Sequence, residues 1–111
     1  MKIVLVYPNQ SDLTRKYRIS TLAKYPSRPP LGLLYLAAIL EKAGHEVKIY
    51  DNVLRELPSA ELAGLILAER PDLVGFSTTF KNMPDAKKTA GLIKKKERRI
   101  KSAAIEEEVA I

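Results

Sequence analysis

Cysteine is missing from all 111 residues, and tryptophan with it. Without thiols the chain forms no disulfide, no thiolate metal site and no cysteine-held iron–sulfur cluster. One histidine, His45, is too few for a zinc site built from protein ligands alone. Long apolar runs are also lacking: none approaches the roughly 20 residues that a membrane-spanning helix requires. Pro8 and Asn9 interrupt the first apolar run too early for a secretory signal, so a cytoplasmic protein with no membrane partner is expected. No serine elbow, cysteine nucleophile or carboxylate paired with a base stands out, and catalysis by this chain alone is not expected.

What is present suits one small globular domain: 46% hydrophobic and 29% charged residues. The formal net charge of +6 is unevenly spread. Residues 1–28 carry six basic side chains and one acidic; residues 29–80 carry four and seven; residues 81–111 carry nine and five. A field of this kind attracts anions, although a solvated basic surface produces the same pattern.

Lys2 to Tyr7 is almost continuously apolar, as in a strand buried on both faces. A polar stretch over 8–28 follows, longer than an ordinary connection. Pro29 and Pro30 suit a helix start, since proline's missing N–H is not needed in the first turn. Leu33, Leu36, Ala37 and Leu40 recur at helical spacing, Leu34, Ala38 and Ile39 widen the apolar face, and Gly44 suits the helix end. Val47 and Ile49 alternate with polar neighbours, the pattern of a half-buried strand near a sheet edge. A second helix runs from Pro58 through Leu62, Leu65 and Ile66 to Arg70-Pro71. Leu73 to Phe76 forms a third, continuously apolar strand. Asn82, with Asp85 three residues on, suits the N-cap of a third helix.

This β-α-β-α-β-α alternation predicts a Rossmann-like or flavodoxin-like α/β three-layer sandwich, its parallel sheet in the order 2-1-3. The carboxyl ends of strands 1 and 3 then flank a topological switch point, where open α/β sheets bind ligands.

The stretches KIVLVYPN, RPPLGLLYLAAILEKAGHEVKIYD and ERPDLVGFSTTFKNMPDAKKTAGLIKK together resemble the N-terminal cobalamin-binding-type domain of radical S-adenosylmethionine enzymes. The resemblance covers residues 1–96 and implies cobalamin held across the carboxyl ends of the strands. Asn9 and Gln10 after strand 1, with Ser77, Thr78 and Thr79 after strand 3, would face the corrin. The Asp-x-His-x-x-Gly motif of cobalamin mutases is absent, which removes axial histidine ligation. The radical domain's cysteine triad is absent too. Residues 97–111 depart from the family's fourth strand and Gly-Gly turn. They read as a divergent charged tail that extends the third helix, with Ile100, Ala103 and Ala104 on one side. The domain therefore looks truncated, with weak or vestigial ligand capacity. Strand 3 would become an exposed edge, so self-association or a tail folded over that edge is expected.

Other readings compete. The hydroxyls of Ser77, Thr78 and Thr79 serve a ligand or merely finish a strand. Asp51 stands where a dinucleotide fold holds ribose, but no G-x-G-x-x-G follows strand 1, and capping of the next turn is the simpler role. His45 reads as part of a helix end rather than a metal ligand. Tyr17 and Tyr25, among Arg15, Lys16 and Arg18, could stack on bases. Lys94 to Lys101 reads as a solvated helix face. The leading alternative function is a self-association or partner-binding module. Nucleic-acid binding through the basic ends comes after it, and nucleic acid is not the expected partner.

Overall fold

A computed structural model describes residues 1–9, 31–79 and 82–106. Gln10, Tyr17, Tyr25 and the basic residues between them lie outside the described residues. The chain runs β1 (Lys2–Tyr7), α1 (Leu31–Lys42), β2 (Glu46–Asp51), a single turn α2 (Asn52–Arg55), α3 (Ser59–Ala68), β3 (Leu73–Thr78), α4 (Met83–Lys96) and β4 (Lys101–Glu106). All four strands are parallel, in the order β2-β1-β3-β4. The expected adjacency of β1 and β3 holds, with Ile3 opposite Leu73 and Val6 opposite Phe76.

Strand alternation sends the interior side chains to two separate layers. Val4, Val6, Val74 and Phe76 meet Leu62, Ala63 and Ile66 of α3 and Ala86 and Ile93 of α4. Ile3 and Leu5 meet Leu33 and Ala37 of α1 on the opposite face. Each fully buried Leu, Ile or Val contributes about 1.5–3 kcal/mol of hydrophobic stabilisation. The buried face of α1 is the narrow one: Leu34 and Ile39, which appear in sequence to widen it, are 44% and 63% exposed. Gly44, at φ 96°, ends α1 as its sequence position suggests, and the His45 N–H donates to the Leu40 carbonyl.

The tail overturns two expectations. Residues 101–106 form a strand rather than a helical extension, and the sheet does not stop at three strands. α4 ends at Lys96, a short turn follows, and Ile100 is buried in the α3–α4 layer before β4 begins. β3 is therefore interior. The tail covers its edge by pairing with it from Leu73–Lys101 to Thr78–Glu106. This pairing overrides the helical propensity of the Ala- and Glu-rich segment, because an apolar, doubly buried β3 needs hydrogen-bonded neighbours on both sides. Gly75 makes room for the new neighbour: a Cβ there would lie 3.0 Å from Ile105 Cδ1 and 3.1 Å from Leu5 Cδ2. No helix among the described residues is long and apolar enough to cross a membrane.

Candidate functional site

Parallel strands bring all their carboxyl ends to one side, and the polar residues there fall into two groups. At the end of β2 they are occupied. Asp51 Oδ1 accepts from the Leu54 N–H at 3.2 Å, the capping role expected for it. Asn52 is buried, donates from Nδ2 to the Leu57 carbonyl and accepts from the Leu57 N–H, both at 2.9 Å. The loop after β2 is thus closed by its own side chains.

The ends of β1 and β3 differ. Asn9 is 7% exposed, Ser77 1% and Thr78 3%, while Thr79 is half-buried. β3 runs to Thr78, so Ser77 and Thr78 lie on the strand rather than in a loop and point to opposite faces of the sheet. Asn9 and Ser77 already have partners. Thr78 Oγ1 has none: among the described residues it is the buried side-chain polar atom without a hydrogen bond. Such a hydroxyl costs about 1–3 kcal/mol unless something satisfies it. Thr78 also helps line a shallow, mostly apolar groove of about 120 Å³ between α4 and β4, with Phe76, Met83, Ala86, Ser102 and Ala104.

The residue that shapes this end is one for which the sequence suggests a different task. Asn82 precedes α4 but makes no side-chain cap. It is fully buried, accepts from the Thr79 N–H at 2.8 Å and donates to the Ser77 carbonyl at 3.1 Å. The β3–α4 turn is braced from within, which fixes where Ser77, Thr78 and Thr79 stand. Asp85 and Thr89 of α4 are also buried polar residues with no sign of that burial in their sequence context. The topology thus brings Asn9 and Ser77–Thr79 to the ends of adjacent strands, and Gln10 lies outside the described residues.

Charge gathers at other places. Glu69, just past α3, is held by Lys48 Nζ at 2.9 Å, Lys2 Nζ at 3.1 Å and the Tyr50 hydroxyl at 3.1 Å. The hydrogen bonds from Lys48 and Lys2 lower the Glu69 carboxyl from 4.5 to about 2. The hydrogen bond to Glu69 raises Lys48, and burial followed by that same carboxylate raises Tyr50. Arg55 sits 5.4 Å from the centre of the Tyr50 ring, on the face of the sheet that carries α3. His45 lies before β2, at the amino end, where the Met1 amine is 3.2 Å from its Nδ1. The chain's one histidine is thus remote from the hydroxyl-lined end.

Comparison with known proteins agrees with this fold. Residues 23–104 match the B12 binding domain. A protein of Pyrococcus horikoshii named as an uncharacterized methyltransferase is 35% identical over 94 residues, covering 85% of this chain but 19% of the relative. The chain thus spans about a fifth of that relative's length. No solved structure matches. With a parallel α/β sheet and a family match from α1 to β4, the chain belongs to the B12-binding domain family.

Proposed function

We propose that the chain binds cobalamin at the carboxyl ends of β1 and β3 and presents it to chemistry performed elsewhere. The observation that carries this reading is the orphaned Thr78 hydroxyl, buried at the carboxyl end of β3 in a residue that also lines the apolar groove between α4 and β4. A buried polar atom with no internal partner suits an external acceptor or donor, and the corrin periphery is rich in amides. Thr78 and Thr79, with Asn9 and Ser77 behind them, would hold the ring through neutral hydrogen bonds. Gln10 joins this set on the family resemblance. With His45 at the other end of the sheet, no histidine of this chain would ligate the cobalt.

Bound cobalamin would supply cobalt–carbon bond chemistry, and the chain's own residues would bind, orient and partly desolvate it. The relative's methyltransferase name supports a role as the cobalamin-carrying module of a methyl-transferring system. If the chain works with a radical S-adenosylmethionine centre, as the resemblance suggests, the cysteines of that cluster would come from outside these 111 residues, which contain none.

Titration of the protein with hydroxocobalamin and methylcobalamin, followed through the visible spectrum, tests the reading. Saturable spectral shifts that weaken in Thr78→Val are expected. No shift at millimolar protein would overturn it.

Association is the second reading. Among the described residues β4 pairs on one side only, and Leu31, Tyr35 and Ile39 of α1 are 65%, 74% and 63% exposed. Light scattering over a dilution series decides this reading, and a monomer at every concentration would reject it.

A further inference from the structure

The two edges of the sheet are built differently. β2, at one edge, carries exposed charge along its length at Glu46 and Lys48, with Lys48 Nζ 2.9 Å from Glu69. Charged side chains on an edge strand guard it against pairing with another chain. β4, at the other edge, has Ser102, Ala103 and Ala104 in its middle, all exposed and none charged. It contains no proline, and its register against β3 runs unbroken from Lys101 to Glu106, so no bulge turns it away. One edge is guarded and the other is open.

The backbone of β4 shows which groups are free. The Lys101 N–H donates to the Asp72 carbonyl at 3.2 Å, so Lys101, Ala103 and Ile105 turn their amides toward β3. Ser102, Ala104 and Glu106 turn theirs outward, where no described strand receives them. The charges at the two ends then select a partner. β4 begins with a base, preceded by Arg98 and Arg99, and ends with an acid that the sequence follows with Glu107 and Glu108. Laid antiparallel on its own copy, such a strand sets its basic end against an acidic end twice. A parallel copy would set like charge against like.

We propose that β4 pairs antiparallel with β4 of a second copy of this chain, about a two-fold axis at Ala104, joining the two sheets into one. This inference rests on the association reading and fixes its partner and its surface. With the axis at Ala104, Ser102 comes opposite the partner's Glu106, and Ala103 comes opposite the partner's Ile105. Every outward amide and carbonyl from Ser102 to Glu106 is then in the ladder. Moving the axis to Ala103 would set Glu106 against Ile100, which lies in the turn before the strand, and lose its bonds. Small side chains at the centre let the two strands approach without a clash.

Sedimentation velocity of the full chain across a dilution series tests the proposal. A monomer–dimer equilibrium is expected. Ala104→Pro removes an outward N–H at the axis while sparing the bonds to β3, and should abolish the dimer with the circular dichroism spectrum unchanged. Lys101→Glu should weaken association about tenfold, since symmetry applies the change twice. Adding Glu106→Lys to Lys101→Glu restores opposite charges across the axis and should recover the dimer. If proline unsettles the strand itself, the charge-swapped variants decide alone. Dimers that persist undiminished in Lys101→Glu, or a double variant that fails to recover, overturn this interface and leave association standing. Loss of such dimers in Tyr35→Glu with Ile39→Glu would assign them to α1 instead. A monomer at every concentration overturns this interface and the association reading together.

Discussion

The loops after β2 and β3 start from the same materials and finish differently. Both leave the sheet at its carboxyl end, and both are organised by a buried asparagine. Asn52 ties its loop shut through Leu57, and nothing buried there is left over. Asn82 ties its turn shut through Ser77 and Thr79, yet the neighbouring Thr78 hydroxyl remains unsatisfied. The first loop is a closed structural unit. The second is braced by its asparagine in the same way but leaves one buried hydroxyl without a hydrogen bond, and that difference is what the proposed cobalamin site rests on.

The largest test of this contrast removes the brace. Asn82→Ala strips partners from the buried Thr79 N–H and Ser77 carbonyl and is expected to destabilise the fold by about 2–4 kcal/mol. Urea unfolding monitored by circular dichroism measures it, and a cost under half a kilocalorie would show that the turn is set by other contacts. A smaller change of opposite sign is expected for Thr78→Val, which replaces the orphaned hydroxyl by a methyl of similar shape. Stability should rise by up to about 1 kcal/mol while cobalamin binding weakens. A loss of stability would mean that the hydroxyl already has a partner, and the contrast between the loops would collapse.

The smallest effect belongs to Glu69, which lies outside either loop. Its carboxyl titrates near 2 in the folded protein against 4.5 ordinarily, so the folded state binds its proton more weakly than the unfolded chain. Its contribution is therefore complete above about pH 4.5 and disappears as pH falls toward 2. Glu69→Gln should melt slightly below the wild type at pH 7, and the two should converge near pH 2. Parallel curves across that window would remove Glu69 from the acid response.

Much of the positional reasoning is legible in the residues. Continuous apolar runs at Lys2–Tyr7 and Leu73–Phe76 against the alternation at Glu46–Asp51 suffice to place β1 and β3 inside and β2 at an edge, as observed. β4 is not legible from its own letters, because Ala103, Ala104 and Glu106 favour helix and no glycine or proline marks the turn after Lys96. The usable signal lay in its neighbour: a doubly buried β3 demands a second partner, and residues past α4 are in position to supply it. The hydroxyl run at 77–79 is visible, but which member is left unsatisfied is not. That depends on Asn82 turning back toward the strand instead of capping α4, a choice of rotamer and turn geometry that local spacing does not encode.

Gly75 has a consequence for how the last strand finds its place. β4 carries little pattern of its own, yet Ile105 fits over the bare backbone of Gly75 with Leu5 closing from the other side. Slipping β4 by one residue would turn Ile105 to the wrong face, and slipping by two would carry it off the notch. Alignment of the outermost strand is thus dictated by a missing side chain on the strand next to it. A bulky residue at position 75 would unseat β4 without altering a single atom of it.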